Sequence, residues 1–500
     1  MMTKMTINLD QLKTLRKGIR DVCALEHVSN GFADLFLPTV FPPSQLHAAD
    51  FEIALVEGYC GAGKSHLCSF IASQKYKNYV KAMQQGPNPR ELETSRGFAQ
   101  DLSIAEAPDR HTLYTLLRKY EADQSFSTVA IWRAVLAHGL RVDDGAFSQF
   151  ATWEQRVDWV HTSPQEFENY LAAADVELDA GDRMHLALFD ALDQMADNWA
   201  DTLKLLGGLL QLAREMRAKR VIRCKLFLRP DMMAMVADDF RDGAKLWPYK
   251  KTLHWRRCDL YALFFRLLAS HPAAGPLFRD IGISLGLHWI ENVPIPEFVV
   301  NPALFKDEKL QALVFHRLTG NKMGEISPYA PPYVWLINAL QDSLGFVSPT
   351  SFMAALGTAA QEVDETAPHA LDWRAIFVGV HAASYARVTE ICTAHPWVKL
   401  VMSPLLGKLR LPVPLHQIED IWRAHQTLET LTADLLNSNV AVKLPPRKLE
   451  QGAAGIIEEL SHLGVLQTLL SGEIQMNDVY RRTFGFGRKG GINVANNVGN

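Results

Sequence analysis

The chain has 500 residues, 48% of them apolar, enough at about 150 residues per domain for roughly three domains and more than one buried core, which excludes a disordered chain and a mini-protein. Lys and Arg total 51 against 55 Asp and Glu, a net charge of -4, so no global field recruits nucleic acid or an anionic membrane and any such partner must meet a local patch. Cys23, Cys60, Cys68, Cys224, Cys258 and Cys392 form neither a CxxC pair nor a secreted disulfide framework; with no signal-peptide core and no run of about 18 apolar residues, the expectation is a cytoplasmic protein with no membrane partner.

Residues 1–50 read as a lead-in segment, helical through Leu9, Leu12, Leu15 and Ile19 and then aperiodic through Leu35-Phe36-Leu37-Pro38 and Phe41-Pro42-Pro43. Phe51 to Glu57 predicts a buried strand, Gly58 to Ser65 a loop, and His66 to Ser73 a helix. From about 76 to 182 the patterns at His111 to Tyr120, Thr128 to Leu140 and Glu166 to Ala174 predict a mostly helical insertion. Met184 to Phe189 is a second strand ending in Asp190; the amphipathic stretch Trp199 to Arg217 leads to a third, Val221 to Leu228, ending at Arg229. Strands alternating with helices predict an α/β domain over 51–270, a parallel sheet covered on both faces. An α-helical lid or middle domain is expected over 271–435. Over 436–490 a helix, Leu449 to Leu463, stopped by Gly464 and followed by a hairpin around Ser471-Gly472, predicts a winged-helix-like unit, and 491–500 a flexible tail.

Gly58-Tyr59-Cys60-Gly61-Ala62-Gly63-Lys64-Ser65 matches G-x-x-x-x-G-K-[ST] and lies between a predicted strand and a predicted helix. The glycines let backbone N–H groups wrap a polyphosphate, and the helix N-terminus, running on through His66, adds favourable partial charge. Lys64 is expected to reach the β- and γ-phosphates and the Ser65 hydroxyl to bind Mg²⁺, so ATP or ADP with Mg²⁺ are the expected cofactors. An acid at the end of a neighbouring strand must hold that cation, and Asp190 is the candidate. Asp193 either orients the attacking water or coordinates outer-shell water, or merely complements a helix dipole. The residue after Asp190 is Ala191, where many fast P-loop ATPases place a glutamate base, so slow or conditional turnover is expected. Arg229 either senses the γ-phosphate at the carboxyl edge of the sheet or pairs with a surface acid.

The P-loop, the segment Asp190-Ala191-Leu192-Asp193-Gln194, the segment Phe227-Leu228-Arg229-Pro230-Asp231 and the run His254 to Tyr261 together resemble the STAND class of signal-transducing P-loop ATPases, with NACHT and KAP-type ATPases nearest in pattern. Gln194 departs from the usual acid or arginine. The resemblance maps Lys64 and Ser65 to Walker A, Asp190 and Asp193 to the Walker B pair, and Arg229 to the first sensor. Asp478 to Gly491, Pro332 to Leu336 and Val347 to Phe352 look like segments of STAND-like ATPases associated with bacterial antiphage defence. The class implies a switch in which ADP holds a closed form, ATP permits homo-oligomerisation, and the assembly turns on an effector, here expected to be a separate protein.

The basic run Arg214, Arg217, Lys219, Arg220, Arg223, Lys225 and Arg229 reads either as a phosphate-backbone patch or, preferably, as cations closing an amphipathic helix. Arg481, Arg482, Arg488 and Lys489 beside the winged-helix pattern support either contact with duplex DNA or internal packing. Arg256 and Arg257 read as an arginine finger or as surface pairs. The seventeen histidines make no HExxH, and no GxSxG elbow is present, which disfavours metal-dependent and serine hydrolases. The alternative to a regulatory ATPase is a DNA-associated ATPase or loader that binds duplex through its winged-helix end.

Overall fold

The computed structural model describes residues 7–24, 46–84, 89–140, 147, 149–237, 245–291, 299–324, 331–436 and 444–489. The flexible tail expected at 491–500 and most of the aperiodic part of the lead-in segment lie outside the described residues. By contacts the chain forms two units, one of residues 29–254 and one of residues 1–28 with 255–500. The division falls between His254 and Trp255, ahead of the boundary expected near 270. No helix among the described residues is long and apolar enough to cross a membrane.

Helix α1 (Leu9–Cys23) starts from a capping box of Asn8 and Gln11 and belongs to the second unit. Its Arg16 donates to the carbonyls of Glu365, Ala367 and His369, which fastens the N-terminal helix to a loop far away in sequence.

Residues 29–254 are organised by one sheet. Its strands β1 (Leu55–Glu57), β2 (Glu91–Phe98), β3 (Arg183–Phe189), β4 (Ile222–Leu228) and β5 (Lys250–Thr252) lie in the order β2-β3-β4-β1-β5, every pairing parallel. Central β3 and β4 are buried almost throughout and are correspondingly apolar. The helices in chain order are α2 (Lys64–Ala72), α3 (Gln74–Met83), α4 (Arg110–Lys119), α5 (Val129–Leu140), α6 (Trp153–Thr162), α7 (Pro164–Ala180), α8 (Trp199–Met216) and α9 (Pro230–Ala237). The segment expected to be mostly helical therefore also supplies β2. As an edge strand β2 tolerates Glu91, Glu93 and Ser95, and that polarity hid it from hydrophobic patterning. The first strand is shorter than Phe51 to Glu57, because Phe51 and Glu52 form a turn ahead of it.

The basic run is absorbed by this unit. Arg217 and Arg223 share Glu52 at 2.6 and 3.2 Å, Lys219 meets Glu168 at 3.5 Å and Arg220 meets Asp179 at 3.3 Å. Lys225, in the middle of β4, is 0% exposed, and its ammonium donates to the carbonyls of Ala48 (2.8 Å), Asp50 (2.7 Å) and Ile53 (2.7 Å). Three donors meet three acceptors, so the buried charge is solvated by main chain and ties the segment before β1 to the middle of the sheet.

The second unit is α-rich. Helix α10 (Arg257–Ser270) is buried around nearly its whole circumference, and α11 (Ala274–Ser284), α12 (Glu308–Thr319), α13 (Pro332–Leu340), α14 (Pro349–Glu362), α15 (Trp373–Ala394) and α16 (Pro396–Met402) follow it. Short β6 (Ile290–Glu291) and β7 (Val299–Val300) pair with each other, and β8 (Arg410–Leu411) lies before the last module. That module runs β9 (Val413–Pro414), α17 (Leu415–Ala424), α18 (Thr427–Leu436), α19 (Gly452–His462), β10 (Gln467–Thr468) and β11 (Glu473–Gln475), with β10-β11-β9 forming one antiparallel sheet. A helix feeding a hairpin whose second strand pairs back onto an earlier strand is the winged-helix arrangement. Trp422, Ile456, Leu460, Val465, Ile474 and Tyr480 fill its core.

The loop 341–346 fastens this module to the helices before it. Ser343 N–H donates to Gly464 O at 3.0 Å, and Asn477 Nδ2 donates to the carbonyls of Gln341 and Asp342 at 3.1 and 2.8 Å. The buried Asp342 carboxylate accepts the N–H groups of Leu344 and Phe346, yet burial pushes its pKa up to about 6 against those donors and the charge of Arg387. An unfolded aspartate titrates near 3.9, so the folded chain keeps a proton that the unfolded chain has released; the stabilisation is full below about pH 4 and is lost as pH rises through about 6. Asp342→Asn should therefore raise stability at pH 8 by on the order of 1–3 kcal/mol and by about half as much at pH 5. Urea midpoints followed by tryptophan fluorescence test this, and an equal change at both pH values would defeat it.

Candidate nucleotide-binding site

Strand β1 ends at Glu57, and the loop Gly58 to Gly63 turns the chain into α2, which begins at Lys64. Gly61 (φ 71°) and Gly63 (φ 93°) are left-handed, the region in which a side chain is strained. At Gly58 the fit is tight: a Cβ there would stand 3.1 Å from Ala62 Cβ and 3.3 Å from Lys64 Cγ, so these neighbours would have to give by a few tenths of an ångström. Gly58 N–H donates to Leu228 O at 3.0 Å, which ties the start of the loop to the end of β4, one residue before Arg229.

Lys64 Nζ donates to the loop's own carbonyls, Gly58 O at 2.7 Å and Tyr59 O at 3.0 Å. Burial lowers its pKa, while Cys60, Asp190 and Asp193 counter that and Arg229 adds to it, so these groups share one electrostatic neighbourhood. Ser65, exposed in the first turn of α2, is hydrogen-bonded to the Asp190 carboxylate. Burial raises the pKa of Asp190, and the Ser65 hydroxyl, the Ala191 N–H and Lys64 hold it back. His66 follows Ser65 on α2, where burial lowers its pKa to about 4 and keeps the imidazole neutral.

After Asp190 the chain reverses through Ala191, at φ 53° and ψ 35°, into the 3-10 turn Leu192–Gln194. The turn brings Asp193 to 3.7 Å from Arg229 Nη1. Arg229 also makes a two-bond pair with Asp231, Nε to Oδ1 at 3.1 Å and Nη2 to Oδ2 at 2.6 Å. Burial opposes the Arg229 charge, but Asp231, Cys60 and Asp193 outweigh it and its pKa is raised. Asp231 received no role from the sequence; its signal was a carboxylate two residues beyond a strand-end arginine. Arg256 pairs with Asp259 at 2.9 Å and Arg257 meets Glu308 at 3.8 Å, both within the α-rich unit.

This donor set fits a nucleoside polyphosphate and a hard divalent cation. The left-handed Gly61 and Gly63 let the loop curl ahead of the helix N-terminus, and a hydroxyl sits against a carboxylate at the head of α2, the oxygen ligands that Mg²⁺ takes. Holding Ala191 in the left-handed region costs on the order of 1 kcal/mol, which glycine does not incur. Ala191→Gly should raise stability by about 0.5–1 kcal/mol. A thermal melt checks it, and a variant less stable than the parent would show that the turn is not strained.

No protein-family model and no curated protein matches the chain. Among solved structures it is similar to the Aeropyrum pernix ORC2 protein in its ADPNP-ADP complexes, at 12% identity over 91% of this chain and 90% of that one, with a TM-score of 0.35. It is also similar to the ADP form of that protein, at 13% identity over 92% and 88%, with a TM-score of 0.29. Likeness at these scores carries no inference about activity.

Proposed function

We propose that the chain binds ATP and ADP with Mg²⁺ at this sheet edge, hydrolyses ATP slowly, and is a STAND-like regulatory ATPase whose bound nucleotide sets its assembly with copies of itself and with a separate effector, in bacterial antiphage defence. The observation that carries the nucleotide reading is the meeting of Lys64, Ser65, Asp190, Asp193 and Arg229 around the glycine loop. Lys64 exchanges the carbonyls of Gly58 and Tyr59 for phosphate oxygens. Ser65 and Asp190 would hold Mg²⁺, which would supply charge neutralisation to the phosphates. Arg229, kept in place by Asp193 and Asp231, reads the terminal phosphate. Ala191 offers no carboxylate to a water, so turnover is slow and the nucleotide state lasts long enough to act as a signal. Only a difference in the contacts that ATP and ADP make can shift the population of closed and assembled forms.

A second reading, a DNA-associated ATPase, draws on the winged-helix module but has weaker support. Arg481 and Arg482 are held by Asp478 at 2.8 and 3.2 Å, and Arg482 lies over the Trp335 and Phe377 rings. Arg488 and Lys489 are about half exposed, with Asp478 at 4.0 Å and Glu473 at 3.6 Å. Helix α19, which leads into the wing, carries no Lys or Arg for phosphates or base edges.

Lys64→Ala should weaken ATP binding at least about 100-fold, about 2.7 kcal/mol, in a fluorescent-nucleotide titration. Asp190→Asn should retain nucleotide and lose Mg²⁺-dependent phosphate release. Solution mass should grow with a non-hydrolysable ATP analogue and not with ADP. Unchanged ATP affinity in Lys64→Ala removes the site assignment, and DNA-stimulated turnover that falls steeply with salt would favour the second reading.

A further inference from the structure

One cation at the same sheet edge has no role in the reading above. Arg96 stands near the end of β2, paired in register with Leu188 of β3. Side chains alternate along a strand, so Leu188 and Asp190 share a face, and Arg96 projects from that face one strand further out. Directly after Arg96 the register shifts in a bulge at Gly97, where a Cβ would come within 2.2 Å of the Phe189 ring, and pairing resumes at Phe98, opposite Phe189, displaced by one residue. Phe98 O then accepts the backbone N–H of Asp190 at 2.9 Å, so the end of β2 is hydrogen-bonded to the Walker B residue. Bulges of this kind re-aim side chains at functional edges.

The guanidinium lies within the electrostatic reach of Asp190 and of Cys68, one turn into the P-loop helix. It is held by Asp101 through Nη1 to Oδ2 at 2.7 Å and a second bond from Nη2, while its buried Nε makes no hydrogen bond among the described residues. The two partners differ in exposure, 27% for the Arg96 side chain and 67% for Asp101. A pair whose anion stands mostly in water is screened and readily exchanged. Arg229, by contrast, is buried with two carboxylates close by. Of these two guanidinium groups, Arg96 is therefore the one whose anion is displaced more easily.

We propose that Arg96 is a further phosphate-binding residue of this site, exchanging Asp101 for the terminal phosphate of a nucleoside triphosphate and so setting the preference for triphosphate over diphosphate. This rests on the nucleotide reading of the glycine loop. Arginine suits the task, because its planar fork matches a phosphate with two parallel bonds as it now matches the Asp101 carboxylate.

The test is equilibrium binding of a non-hydrolysable ATP analogue and of ADP, each with Mg²⁺, to full-length parent, Arg96→Gln, Arg96→Lys, Asp101→Asn and Lys64→Ala. Arg96→Gln should lose tenfold or more in analogue affinity and less than threefold for ADP, and Arg96→Lys should recover part of the loss. Asp101→Asn should move the other way, binding the analogue two- to fivefold more tightly because the competing anion is gone. A merely structural brace predicts instead that both partners' variants weaken binding together, and that result, or an analogue-to-ADP ratio unaltered by Arg96→Gln, overturns the proposal. If the parent and Lys64→Ala bind both nucleotides equally, the nucleotide reading itself has failed; if Lys64→Ala loses binding while Arg96→Gln keeps the parent ratio, only the role of Arg96 has.

Discussion

Parallel pairing is the constraint on which the first unit depends. Because every strand runs the same way, the ends of β1, β2, β3 and β4 open onto one edge, and residues as distant in sequence as Gly58, Arg96, Asp190 and Arg229 become neighbours without any local motif joining them. The same constraint demands burial on both faces, which β3 and β4 meet with apolar runs. Arg223 and Lys225 are the exceptions inside β4; Arg223 pairs with Glu52, and the Lys225 ammonium is accommodated by three main-chain carbonyls. The segment leading into β1 is thereby fixed from within the sheet, and the glycine loop starts from a strand whose position is already set.

Charge at the open edge is balanced locally. Lys64 rests on two loop carbonyls, Arg229 lies beside two aspartates, and Arg96 is paired with one. On the proposed nucleotide reading, an incoming polyphosphate would compete with each of these, and the strength of competition would differ: carbonyl dipoles yield most easily, an exposed carboxylate less so, and a buried carboxylate pair least. Such a gradient permits one edge to combine a loosely held phosphate grip with a firmly positioned sensor.

How much was legible in the sequence follows from what each residue has to bury. The strands at Met184 and Val221 and the helix at Trp199 are announced by apolar runs and helical spacing, and the glycine loop by residue types that tolerate few substitutes. Strand β2 was not legible, since an edge strand alternating Glu, Thr, Ser and Arg carries no hydrophobic signature, and with it went Arg96 and Asp101. The charge clusters left two readings open in the sequence, a surface for anions or cations satisfied within the fold, and the structure pairs Arg217 and Arg223 with Glu52 and Arg481 and Arg482 with Asp478. Periodicity registers what is hidden from water, whereas the destination of a charge is decided by partners that only the tertiary fold brings near.

The left-handed backbone at Ala191 has a further meaning. In the position where a P-loop enzyme needs a base, the missing carboxylate is only half of the obstacle, because the main chain itself turns away from the extended or helical geometry that bulky residues prefer. A glutamate installed there would inherit that turn, and its side chain would leave the strand end along a direction chosen by the turn rather than by a water. If the chain is the slow ATPase proposed above, its low turnover would lie in the course of the backbone between Asp190 and Asp193, and a change to a fast enzyme would require remodelling that corner, not one substitution.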